Sequence, residues 1–335
     1  MARTSTDDPL SRLSRLVTWP WRRAVLEVNR RGHRVYGWGQ PHWWPERLGG
    51  WPGPRHPHDN RSVVIFAGTD RFEFLPAVSD GYRGHAHHGT LRPDVTDVEA
   101  CLVRLNLPTG AARALAVISS FEGGFDAIQT WDRGKFAWGF IQFTATGGLP
   151  RLLHNLKMNA PAVFDECFVS GGIDVDPGGI TIRVNGRTLR GRRAHNRLHD
   201  DPSLWRMFLL ASRLGPVQDM QVRTAYDTYY AHPLEQVVAL RDGRLTLGAL
   251  FAENEYGRAI VCDRAVNRGV RYALEILRTA ARQSDARGVR DAPAVLARVR
   301  ALERRDGWRL DALAQAIPPA VGDRDAILPG SFQAV

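Results

Sequence analysis

Two regimes of hydrophobic patterning meet near residue 92. Beyond it, apolar side chains recur at helical spacing. Residues 95–105 form the first such run, which Asp94 or Thr96 can cap and Pro108-Thr109-Gly110 breaks. Thr109 can cap the next run, 110–121, which ends near Glu122. Leu149, Leu152, Leu153 and Leu156 fall on one face of a predicted helix, and a second helical piece follows at 161–168. From Ser203 onward the pattern predicts helices almost throughout. One is capped by Ser203 and ended by Gly215; Pro216 opens the next; Pro233 opens another that Asp242-Gly243 ends. A long helix or a broken pair is predicted over 245–268, then two amphipathic helices at about 270–283 and 292–305. The exception is 180–190. There Ile180, Ile182 and Val184 alternate before Asn185-Gly186, the dipeptide favoured in type I′ hairpin turns because both positions need φ > 0.

Before residue 92 the pattern is different. Trp, Pro, Gly and His crowd 33–58, a density that forbids long helices. Short strands are predicted at 62–67 and 71–75, joined by a Gly-Thr-Asp turn. The expected organisation is a flexible or docking arm (1–20), a loop-rich accessory region (21–92), a mainly helical α+β domain with small β-hairpins (93–315) and a tail (316–335). The predicted core helices all lie past 92, so that part is expected to fold alone.

The candidate chemistry lies in 119–143, S-S-F-E-G-G-F-D-A-I-Q-T-W-D-R-G-K-F-A-W-G-F-I-Q-F. A helix delivers Glu122, and Gly123-Gly124 stop it. A segment of aromatics and β-formers follows, carrying Asp126 and Asp132. A carboxylate at a helix end, opposite a short sheet with further carboxylates, suits cleavage of a glycosidic bond. One carboxyl in an apolar pocket stays protonated as general acid; a second stays ionised as base or nucleophile. Phe121 and Phe125 flank Glu122 and supply the apolar surroundings that favour its protonated form.

Glu122, Gly139 and Gln142 resemble the "E … G-[LVF]-[MI]-Q" pattern of goose-type lysozymes and lytic transglycosylases, over about 25 residues. The Glu122-to-Asp132 interval is similar to that of phage-type lysozymes. Asp263-Arg264-Ala265-Val266-Asn267-x-Gly269 resembles a stretch of the core helix behind the cleft in the same superfamily. The resemblance implies a lysozyme-like fold and cleavage of peptidoglycan or a related amino-sugar polymer, by hydrolase, transglycosylase or chitosanase-like chemistry. It implies Glu122 as general acid, with Asp132 favoured over Asp126 as the second group. The expected substrate-binding residues are Trp131, Trp138, Gly139, Gln142 and Asn267. Phage-type enzymes carry a Thr after the Asp where this chain has Ala137 and Trp138, which puts their manner of water activation in doubt here.

Composition changes the picture in three ways. The formal net charge of +10 favours a polyanionic partner, and nearly all the cations are Arg, with Lys135 and Lys157 the exceptions. No nucleic-acid motif accompanies that charge, so a nucleic-acid binder ranks below an enzyme, as does a non-catalytic docking protein on the same fold. Cys101, Cys167 and Cys262 are too widely spaced for a disulfide framework or a zinc motif and read as buried small hydrophobes. Seven of the eleven histidines precede residue 90; His56, His58, His85, His87 and His88 read as solvated loop residues rather than metal ligands, and no cofactor is expected. Trp38, Trp43, Trp44 and Trp51 read as the core of a loop-rich region or as a sugar platform. No apolar run long enough to span a membrane is present. The N-terminus lacks an apolar signal region, so the protein is expected to be made in the cytoplasm. A phage-like particle, a pore or a secretion machine acting through the N-terminal region would carry it to the wall.

Overall fold

The computed structural model describes residues 62–67, 70–79, 82–131 and 133–318. In chain order the first strands are β1 (Val63–Ala67), β2 (Asp70–Ser79) and β3 (Tyr82–His87). Helix α1 (Val95–Arg104) starts at a capping box, in which the Asp94 side chain and backbone exchange hydrogen bonds with those of Asp97. Helix α2 (Ala112–Glu122) follows a turn of 3₁₀ helix at Thr109–Ala111. Next come β4 (Ile128–Gln129), β5 (Ala137–Trp138) and β6 (Phe143–Thr144), then α3 (Leu149–Asn159) and α4 (Pro161–Cys167). Strands β7 (Ile173–Asp176), β8 (Gly179–Val184) and β9 (Arg187–Arg190) lead into α5 (Arg192–Asp200), α6 (Pro202–Ala211) and α7 (Gly215–Ala225). A π-helical turn at Tyr226–Ala231 continues into α8 (His232–Leu234). The chain closes with β10 (Val237–Leu240), β11 (Gly243–Thr246), α9 (Leu247–Leu250), α10 (Glu255–Arg268), α11 (Val270–Gln283), α12 (Ala292–Leu302) and α13 (Gly307–Ala316). The protein is mainly helical α+β, with small antiparallel sheets.

The chain forms two compact units. The described part of one comprises 62–92 and 122–221; that of the other comprises 93–121 and 222–318. In the first unit β1 to β6 make one antiparallel sheet in sequence order. Strands of two residues cannot stand alone. β4 gains its partner from β3, with Ala86 opposite Gln129 and His87 opposite Ile128. Trp205 of α6 lies 5.0 Å from the Phe74 ring and 5.9 Å from that of His85. Trp138, Phe168 and Phe208 form a further buried cluster beside Phe136. Leu149, Leu152, Leu153 and Leu156 are all buried, as their spacing predicts.

Four expectations are corrected here. The break near 92 is crossed by the sheet: strands before it share hydrogen bonds and a core with strands after 122. His85 and His87 are buried β3 residues rather than solvated loop residues, because alternate positions of β3 face the aromatic core. The 180–190 hairpin forms with Asn185 and Gly186 at positive φ, but it gains a third strand, β7, and a helix, α5, that periodicity did not predict. Finally, α6 is capped by Asp201, which accepts the Ser203 N–H at 3.0 Å, and not by Ser203.

In the second unit α10 is buried nearly all round, including Asp263 and Arg264. Buried charges need partners. Arg264 donates to Glu303 at 2.7 Å and Asp306 at 2.9 Å, and Arg309 donates to Asp263 at 2.6 Å. Tyr272 closes the network on Glu303 at 2.6 Å. The predicted helix after Pro233 is instead a β-hairpin, with Val237 opposite Thr246 and Leu240 opposite Gly243. Val237-Val238 favour a strand, and Arg241-Asp242 make a hairpin turn rather than a helix end, with Gly243 the first residue of β11. The broken pair over 245–268 is α9 and α10. All three cysteines are buried thiols outside any disulfide. No helix of the described residues is long and apolar enough to cross a membrane. The expected arm, the Trp-rich stretch with His56 and His58, and residues 319–335 of the tail lie outside the described residues.

Candidate functional site

Glu122 is the last residue of α2 and is half-buried. Gly123 ends the helix at φ +144, where a Cβ would stand 2.5 Å from the Ala127 Cβ and 3.0 Å from the His88 carbonyl oxygen. A Cβ on Gly124 would meet the Leu91 carbonyl oxygen at 2.8 Å. The glycine pair is therefore needed for close approach as well as for the helix stop. It lets residues 88–91 run against 123–126: Gly124 N–H donates to His88 at 3.0 Å, and Phe125 N–H to Leu91 at 2.8 Å. The backbone leaving Glu122 is thus held on both sides of the bend.

Asp126 is fully buried within this contact. Its carboxylate accepts the Leu91 N–H at 2.9 Å, the Thr90 N–H at 2.9 Å and the Thr90 hydroxyl at 2.8 Å. His87 Nε2 stands 3.7 Å away; its Nδ1 donates to the Glu73 carbonyl at 3.1 Å. Burial pushes the Asp126 pKa up, but His87 and the Leu91 and Thr90 donors outweigh it and hold the carboxyl at about 2. Asp126 is an ionised latch for the 88–91 loop, its oxygens occupied.

Gly139 to Gln142 form the turn between β5 and β6. Gly139 N–H donates to Ala127 at 2.9 Å, which ties the turn to the segment after Glu122. Gln221, on α7, locks it: Oε1 accepts the Phe140 N–H at 3.1 Å and Nε2 donates to the Phe125 carbonyl at 3.1 Å. Gly139 has φ +91, and a Cβ there would overlap the Gln221 side-chain oxygen. Gln142 has φ +56, uncommon for a residue with a side chain. Its Nε2 donates to the Gly139 carbonyl at 2.9 Å, which fixes the orientation of the amide and leaves Oε1 buried without a hydrogen-bond donor. A strained backbone and an unsatisfied buried acceptor on one residue are features that cluster at functional sites.

The remaining expected site residues are spread out. Asp132 lies outside the described residues. Trp131 is half-buried. Trp138 has no exposed surface; Phe168 and Phe208 pack against it, so it is a core residue with no face for a sugar, because β5 directs it inward. Asn267 belongs to the second unit and donates to Asp306 at 3.1 Å. The structure therefore brings Asp126, Gly139 and Gln142 to the segment that follows Glu122. It adds Thr90, Leu91 and Gln221, which sequence reading missed. Gln221 sits in a run of helical polar residues and carries no local signal of burial. Among the described residues no group of three or more His, Cys, Asp or Glu is placed to hold a metal ion. Comparison with protein-family models, curated proteins and solved structures finds no match to this chain.

Proposed function

We propose that this protein is a muramidase-type glycoside hydrolase that cleaves peptidoglycan or a related amino-sugar polymer, with Glu122 as general acid. The observation that carries the reading is the placement of Glu122. It is a half-buried carboxyl at the last residue of a helix, followed by a bend whose backbone is hydrogen-bonded on both sides. A catalytic acid needs such fixed support, because misplacement of a reacting group is costly in rate. In this reading Glu122 gives its proton to the glycosidic oxygen as the C–O bond breaks. Asp132 takes a proton from the water that attacks the sugar carbon. Gln142 holds the β5–β6 turn through the Gly139 carbonyl, and its buried Oε1 does not meet the sugar.

Asp126 does not serve as the base in this account, since its oxygens are committed to Thr90 and Leu91. That same observation favours a second reading, a lytic transglycosylase, in which one Glu suffices and the sugar's own groups complete the reaction. Purified peptidoglycan incubated with the protein separates the two when product ends are weighed. Reducing ends support the hydrolase, anhydro ends the transglycosylase, and uncut polymer removes both in favour of a docking protein.

A further inference from the structure

Residues 177–193 contain five arginines and no Asp or Glu, a formal +5 out of the whole chain's +10. The five are Arg183, Arg187, Arg190, Arg192 and Arg193, and all are exposed. The local fold fixes where they stand. Strand β8 pairs with β9 so that Thr181 faces Arg190 and Arg183 faces Thr188. Side chains alternate across a strand, so Thr181, Arg183, Thr188 and Arg190 share one face of the sheet. The opposite face carries the buried Ile180 and Ile182. The polar face lines a concavity of about 190 Å³ together with Lys157, Asp174 and Asp176.

Most of the acidic charge there is already used. Asp174 pairs with Lys157 at 2.7 Å, and Asp176 pairs with Arg190. Among the described residues the guanidinium groups of Arg183, Arg187, Arg192 and Arg193 have no ion pair. Four unpaired like charges on one rigid hairpin and the adjoining helix start repel one another until an anion arrives. Guanidinium forks match phosphate oxygens in geometry and charge. The patch has no aromatic residue for stacking on bases and no large exposed apolar side chain for entering a lipid surface.

We infer that this exposed hairpin and the adjoining helix start, through Arg183 on one face of the sheet, Arg187 on the other, and Arg192 and Arg193 on the helix, bind a phosphodiester-bearing anionic polymer of the cell wall and hold the protein on its substrate. The choice of a wall polymer over other phosphate sources rests on the wall-cleaving reading above; the binding itself does not use Glu122.

The test uses the full chain carrying Glu122→Gln, so that binding is read without cleavage. The probes are purified walls with their phosphodiester polymer retained, the same walls after its removal, and duplex DNA. Co-sedimentation gives the affinities over a range of salt. Retained walls should bind more tightly than stripped walls and duplex DNA. The fourfold Arg→Gln variant of these positions should lose at least about tenfold in affinity for retained walls, with a weaker salt dependence. A fourfold Arg→Lys variant, which keeps the charge and loses the fork, should bind more tightly than the Arg→Gln variant, and an Arg→Gln unfolding curve that matches the parent's excludes a folding defect as the cause. Equal binding by the Arg→Gln variant, equal binding to stripped walls, or preference for duplex DNA would overturn the inference. Cleavage of polymer-free soluble fragments by the Arg→Gln variant, in the wild-type Glu122 background, reads the catalytic proposal separately. It should be unchanged if both proposals hold. Patch binding without any cleavage sinks the catalytic reading alone.

Discussion

Thr90 grips the Asp126 carboxylate with both its N–H and its hydroxyl, at 2.9 and 2.8 Å, and so joins the 88–91 loop to the segment leaving Glu122. Asp126→Asn would turn an NH₂ group toward these donors and leave them unsatisfied. The expected cost is roughly 2 kcal/mol in urea unfolding, the size implied by a pKa held near 2. The sign follows from the folded pKa lying below the ordinary value of 3.8. The stabilisation is fully present above the unfolded pKa and is lost as pH falls through the folded one. The gap between wild type and variant should therefore be constant near neutrality and narrow below about pH 4. A gap that does not change with pH would show that the ionised latch contributes nothing.

Gly139 tests the turn that holds Gln142. Gly139→Ala adds a methyl at φ +91 against the Gln221 amide. It should destabilise by about 2 kcal/mol or more and displace the turn. Activity on peptidoglycan should fall further than the loss of folded protein accounts for. An Ala variant with wild-type stability would mean that Gln221 does not sit against this turn.

The sheet that crosses residue 92 reverses the expectation for truncation. A chain that starts at 92 loses β1, β2 and β3 and with them the partner of β4 and the rings of Phe74 and His85 against Trp205. It should aggregate or lack cooperative unfolding. A sharp unfolding transition in the truncated chain would show that the helices form an independent core after all.

How much of this was legible in sequence depends on the range of the interactions. The α3 leucines, the Asn185-Gly186 turn, the Gly123-Gly124 stop and the position of Glu122 at a helix end are local signals, and each appears in the structure. The pairing of β3 with β4 sets Ala86 opposite Gln129 and His87 opposite Ile128, partners far apart in the chain, and nothing in either segment names the other. The same is true of Gln221 reaching Phe125 and Phe140. Asp242-Gly243 failed for a different reason: the dipeptide serves helix ends and hairpins alike, and the two valines before it were the better guide. Trp138 looked like a ligand platform because an aromatic residue beside a motif does not declare which side of its strand it occupies.

Asp132 separates the two carboxylates by role. Asp132→Asn should abolish hydrolysis and leave the unfolding curve unchanged, whereas Asp126→Asn should mainly reduce stability. In an inverting enzyme the acid and base carboxyls stand roughly 6.5–9.5 Å apart. Full activity in Asp132→Asn, with anhydro products from the wild type, would move the enzyme to the transglycosylase reading.

The central claim rests on Glu122, and its most direct test is the initial rate of cleavage of purified peptidoglycan by Glu122→Gln beside the wild type. The replacement keeps the shape of the side chain and removes the proton donor. The rate should fall by about two to four orders of magnitude, the usual contribution of general acid catalysis, while thermal unfolding stays as in the wild type. A variant that cuts peptidoglycan at the wild-type rate would contradict the account.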